Sequence, residues 1–195
     1  LGPVRDGDLL AHDYDVDFGV FANDQHTPSL QKSLQDDPRV DIAVFRITPE
    51  LARYNPYLAG HAGAPLKYTI KFKGAITIDI FVHFAHDGTV YHGTDRNMWT
   101  NSPFKLAPME FGGATYLVPG DQDLYLTENY GEWRVPVTDY HAATDTPNIG
   151  TVVSYRAVVT NIRNYLRFKK AGDNTRASVM HEQLMAMRSS LKANL

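Results

Sequence analysis

The chain has 195 residues, a formal net charge of −3 and no cysteine, so it is long enough for a full hydrophobic core without covalent staples. Its acidic balance argues against a general nucleic-acid binder, since such domains carry a basic face. The lack of cysteine rules out disulfides, thiolate zinc sites and a cysteine nucleophile, and suits a reducing or an oxidising compartment equally.

In chain order, residues 1–12 read as the end of a short helix and a turn around Gly7, leading into a strand at about 14–21. That strand carries Asp13-Tyr-Asp15-Val-Asp17-Phe-Gly-Val-Phe21. Residues i and i+2 of a strand share a face, so Asp15 and Asp17 point the same way, with Asp13 a candidate third. Like charges about 4 Å apart repel by roughly 4 kcal/mol at an effective dielectric near 20, so among apolar neighbours the group needs a protonated member or a cation. A divalent metal is the simplest answer. The competing reading puts Asp13 and Asp15 in a solvated turn, but Phe18, Val20 and Phe21 follow at once and favour the strand.

Thr27-Pro28, a cap residue followed by proline at the first helical position, opens a helix through Leu30 and Leu34 that Pro38 ends. Val40 to Ile47 is a strand, and Pro49 to Gly63 is turn-rich with room for one helical turn. Leu66-Lys-Tyr-Thr-Ile-Lys-Phe-Lys73 alternates strictly, which predicts a half-buried strand with its lysines outward, broken at Gly74. Ala75 to Phe84 is the most regular strand, and Asp87-Gly88 turns it into a hairpin with Thr89 to His92. Asp79 lies mid-strand between Ile78 and Ile80, and such an acid is either paired with a basic side chain or part of a metal cluster. Residues 99–119 read as irregular strands with tight turns, and Asp121 caps a helix ending at Gly131. Beyond Pro147, Tyr155, Val158, Val159, Ile162, Tyr165 and Leu166 recur at helical spacing, with Gly172 as a stop. A second helix follows, capped by Asn174 or Thr175, with Val179, Leu184, Met187 and Leu191 as its apolar positions.

Phosphoryl transfer needs carboxylates for a metal, a cation for residual phosphate charge and backbone amides near a tight turn. Arg5 in Val-Arg-Asp-Gly could reach a diphosphate, or simply pair with Asp6 or Asp8. Gly2 and Gly7 either let the backbone approach phosphate or reflect backbone geometry alone. His83, His86 and His92 invite a zinc reading, but His83 and His86 are an odd number of residues apart and face opposite sides of a regular strand. No serine-hydrolase elbow, Walker motif or dinucleotide motif is present. Tyr130-Gly-Glu-Trp133 reads as a helix end with Trp133 packed inward.

Taken together, these segments resemble the LicD and fukutin group of the nucleotidyltransferase-fold superfamily. Leu1-Gly-Pro-Val-Arg5-Asp-Gly7 is similar to that family's Leu-Gly-x-x-Arg-x-Gly, and the acidic strand, Ile78-Asp79-Ile80-Phe81 and Tyr130-Gly131-Glu132-Trp133 follow in the family's order. The resemblance covers about residues 1–148 and leaves 149–195 as a C-terminal helical extension. It implies an α+β fold, a nucleotidyltransferase-like mixed β-sheet flanked by helices. It also implies Mg²⁺- or Mn²⁺-dependent transfer of phosphocholine, ribitol phosphate or a similar group from a CDP-linked donor to a glycan or teichoic-acid-like hydroxyl. Asp15, Asp17 and Asp79 would hold the metal, with Asp79 also a candidate base, and Arg5, Gly2 and Gly7 would meet donor phosphate. The family's Gly-Ser or Gly-Thr turn would lie before Leu1, and Leu1 is not an initiator methionine, so the chain reads as a fragment. A bacterial source implies a cytoplasmic setting and a fukutin-like eukaryotic parent a Golgi lumen. Two other functions stay open on the same scaffold: a noncatalytic carbohydrate-binding or assembly module presenting Trp99 and the Tyr130 to Trp133 cluster, and nucleotidyl transfer to RNA or a small molecule. The weak overall basicity counts against RNA, and the resemblance predicts no nucleic-acid partner.

Overall fold

Leu66, Tyr68 and Ile70 are buried from one side of strand β3 (Pro65–Phe72), and Ile80, Val82 and Phe84 from the same side of β4 (Thr77–His86), so alternation in these two strands builds the floor of the core. The computed structural model describes residues 1–10, 15–24, 27–72 and 77–193. Asp13, the break expected at Gly74, Ala75 and Ile76 of the expected strand, and the side chains of Thr27 and Pro28 lie outside this description.

Sheet order is β2 (Val40–Arg46), β3, β4, β5 (Thr89–Gly93), β6 (Met98–Asn101) and β9 (Ile149–Gly150), with β1 (Asp15–Phe21) pairing β4. The β1–β4 pairing is parallel and the other pairings are antiparallel, so the sheet is mixed, as expected. A separate hairpin joins β7 (Leu106–Phe111) to β8 (Ala114–Pro119). The β4–β5 turn places Asp87 and Gly88 at φ of 47° and 69°, the left-handed pair that a two-residue hairpin of this type demands.

Helices fall where the caps place them. Short α1 (Gly2–Arg5) precedes β1, and α2 (Thr27–Asp36) ends before Pro38. The turn-rich stretch holds more helix than expected: α3 (Pro49–Tyr54), whose Thr48 side chain accepts from the Leu51 N–H, and a 3₁₀ turn at Pro56–Leu58. In α4 (Gln122–Tyr130) Asp121 caps the start and Gly131 (φ 64°) the end, as read from the sequence. The last two helices, α5 (Tyr155–Ala171) and α6 (Asn174–Ala193), flank Gly172 at φ 78°. Asp173 caps α6 through the Arg176 N–H, one residue earlier than expected.

The face that α5 buries only partly follows the sequence reading: Val158 and Tyr165 pack partly buried against the two core clusters. Ala157, Asn161 and Phe168 point inward, whereas Tyr155, Val159, Ile162 and Leu166 are exposed. Asn161 donates to the Gln183 side chain of α6, a bond that aliphatic periodicity cannot signal. On the core side of the sheet, α3 (Leu51), the 3₁₀ turn (Leu58), Val152, Val153, α5 (Ala157) and α6 (Met187) share one cluster with the strands. The opposite side of the sheet carries the polar and aromatic residues described next.

Candidate active site

The parallel register sets Asp17 beside Asp79 and Asp15 beside Thr77, and one residue of slip would turn each to the core side. Asp15 and Asp17 are exposed and Asp79 is half-buried. Among the described residues these three carboxylates form the group able to hold a cation, their ligand oxygens lying within 4.8 Å of one another. The first two come from i and i+2 of an edge strand and the third from the sheet's centre. The acidic strand reading therefore holds, and Asp13 lies outside the described residues.

Of the two alternatives that the sequence left for Asp79, the pairing with a basic side chain is present, on a carboxylate that also belongs to the candidate cation group. Lys67 Nζ donates to its Oδ2 at 2.6 Å and Thr69 Oγ1 to its Oδ1 at 2.6 Å. Thr69 stands directly across from Asp79 in the antiparallel register and Lys67 two residues away on the same face. Lys67 thus faces away from the core, as the alternation predicted, but it meets Asp79 there rather than open solvent. The side of β3 away from the core is the site, where Lys67 is 14% exposed and its ammonium lies 5.4 Å from the Phe45 ring centroid and 5.3 Å from that of Phe81. Alternation marked Lys67 as being on the Thr69 face; only the strand register shows that Asp79 is on that face too.

Further along the same face an aromatic wall begins. His83 stacks on His92 with ring centroids 4.5 Å apart, and Phe21, Phe81, Trp99 and Phe104 surround the pair. Gly19 is the residue that lets β1 lie against this wall, because a Cβ there would meet His83 Cε1 at 2.6 Å. Burial pushes the His83 imidazole down to about 4, against the pull of carbonyl hydrogen bonds from Phe81 and Val20. Burial and the neighbouring His83 hold His92 well below the usual histidine range. This stack joins residues on two strands, and the spacing of His83 and His86 gave no hint of it.

Over the β6 end of the face, α4 sets Tyr125 edge-on to Phe104 at 5.3 Å. Burial, then the charges of Asp17 and Glu128, push the Tyr125 hydroxyl up to about 12. Ser102, Phe104, Lys105, Asp121, Leu124 and Tyr125 line a shallow cavity there.

The N-terminal segment is differently placed. Arg5 forks onto Asp6 through Nε (2.9 Å) and Nη2 (2.8 Å), and Nη1 reaches the Trp133 carbonyl at 3.5 Å. Gly2 is buried, and a Cβ on it would meet the Asp8 carbonyl at 2.5 Å, while Gly7 adopts φ 70° in open space. A close backbone approach requires a glycine at position 2, and a left-handed turn favours one at position 7. Trp133 is buried at 7% and donates from Nε1 to Asp123, as the inward-packing reading expected.

The family model described as LicD/FKTN/FKRP, nucleotidyltransferase domain, matches residues 1–121. That span includes Arg5, Asp15, Asp17 and Asp79 and ends before the Tyr130 to Trp133 element. Comparison with curated proteins and with solved structures returns no match.

Proposed function

Since the chain belongs to the LicD/FKTN/FKRP nucleotidyltransferase-domain family, which in general transfers phospho-substituents, we propose that it moves a group such as phosphocholine or ribitol phosphate from a CDP-linked donor to a glycan hydroxyl. The observation that carries this reading is the convergence of Asp15, Asp17 and Asp79 at the open end of the sheet face.

Three carboxylates are hard oxygen donors and suit Mg²⁺ or Mn²⁺. Asp15, Asp17 and Asp79 would hold the ion, which when bound supplies charge neutralisation at a transferring phosphoryl group. The rest of the work falls to the protein's own groups. Both oxygens of Asp79 are engaged by Lys67 and Thr69, which suits a fixed ligand better than a mobile base. Arg5 would exchange the Asp6 carboxylate for donor phosphate, since its planar fork fits either anion. Phe21, Phe104 and Tyr125 would shield the neighbouring surface from water, where charge interactions strengthen.

Calorimetric titration of CDP, CDP-choline and CDP-ribitol, with and without Mg²⁺, tests the proposal on wild type and Asp17→Ala. The expected result is Mg²⁺-dependent binding of at least one nucleotide that weakens by about 100-fold or more in the variant. Glycan binding that needs no metal and survives the substitution would instead establish a noncatalytic carbohydrate module. The burial of Trp133 already removes one of the platforms that such a module would use.

A further inference from the structure

We infer that Lys67 is a built-in cation that limits the acidic cluster to a single divalent ion, a positioning role that rests on the metal-dependent reading above. The geometry of Asp79 carries the inference. A carboxylate offers two oxygens, and in two-metal phosphoryl-transfer sites bridging acids use both to hold ions about 3.5–4 Å apart. Here Oδ2 is taken by the Lys67 ammonium at 2.6 Å, and Oδ1 is steered by the Thr69 hydroxyl at 2.6 Å.

Lys67 is not a loose surface lysine. Its side chain is 14% exposed, matched by 14% for Asp79, and its ammonium is flanked by the rings of Phe45 and Phe81. Two aromatic faces and a short ion pair restrict the rotamers that a surface lysine would sample. Register fixes the arrangement further, since Phe45 pairs with Lys67 across β2–β3 and Lys67 with Phe81 across β3–β4. The ammonium therefore engages Asp79 Oδ2, an oxygen that this acid would need to offer if it were to hold two ions.

Charge leads to the same answer. A second ion would have to approach a fixed ammonium at close range, and like charges in a partly desolvated site repel strongly. Lys67 and Thr69 thus divide the work: Lys67 sets how many ions bind and Thr69 sets how Asp79 is aimed.

Mn²⁺ titration of the purified chain, read by calorimetry for stoichiometry and by electron paramagnetic resonance for coupled ion pairs, tests the inference. Wild type is expected to bind one Mn²⁺ with an uncoupled signal. Lys67→Met, shown to be folded by circular dichroism, is expected to bind two with a coupled signal. Thr69→Val keeps Lys67 and is expected to retain one ion with about tenfold weaker affinity, which keeps the claim testable should Lys67→Met not fold. Two ions in wild type, one in folded Lys67→Met, or two in Thr69→Val overturn the inference while leaving the metal-dependent reading intact. No Mn²⁺ binding by folded wild type overturns both.

Discussion

His83 and His92 face each other inside the molecule, and both are held neutral by burial. In the unfolded chain each protonates near 6.5, whereas folded His83 waits until about 4. The unfolded state therefore binds more protons between these values, so the stability contributed by neutral His83 is fully present above about pH 6.5 and is lost as pH falls toward 4. For His83 alone the loss reaches about 3 kcal/mol at the acid end. Thermal unfolding followed from pH 7 to pH 4 is expected to show a falling midpoint, and His83→Phe, which keeps a ring against His92, is expected to flatten that slope. An equally steep slope in the variant would assign the acid lability elsewhere.

Elements are tied together by a few buried polar groups, of which Asn55 is the most connected among the described residues. It is 1% exposed between α3 and the 3₁₀ turn. Its Nδ2 donates to the Leu51 carbonyl (2.7 Å) and the Val153 carbonyl (3.1 Å), while Oδ1 accepts from the Val153 N–H (3.0 Å) and the Tyr57 hydroxyl (3.1 Å). One side chain thus caps a helix and pins a segment 98 residues away. Asn55→Ala leaves the Val153 backbone groups buried without these partners and is expected to cost about 3 kcal/mol in urea unfolding; a loss under about 0.5 kcal/mol would mean that the segment finds other partners. Asn-Pro in the sequence signals the turn, but nothing near position 55 signals Val153. The same limit explains α5, whose aliphatic residues marked a helix correctly while the burial of Asn161 followed from its bond to Gln183 of α6.

At the scale of the whole molecule, the boundary expected near residue 148 meets a continuous core. Val152, Val153, Ala157 and Met187 belong to the cluster that contains Leu66, Tyr68 and Val82, and β9 adds an edge to the sheet through β6. A second cluster of Ala143, Phe168, Ala177 and Met180 is closed by Arg176, which bonds Asp145 (2.6 Å) and Asp139 (3.0 Å). Elements sharing one core unfold together, so calorimetry of residues 1–195 is expected to show one transition. A chain of residues 1–148 is expected to show no cooperative transition. Two resolved transitions in the full chain, or a cooperative one in the shortened chain, would establish that the last helices are an independent unit.

The amino-acid sequence by itself determined the elements and the chemistry they carry. Period-two alternation marked β3 and β4, proline, glycine and acidic caps marked the helix ends, and Asp15-Val-Asp17 with Ile-Asp79-Ile marked strand-borne carboxylates as candidate ligands. These are local properties, set by backbone sterics and by charge repulsion along a few residues. Tertiary structure decided what those residues meet: parallel register brought Asp17 beside Asp79, antiparallel register made the outward-facing Lys67 the partner of Asp79, and strand order stacked His83 on His92. Register and strand order depend on the joint packing of segments far apart in the chain, so no local window contains them.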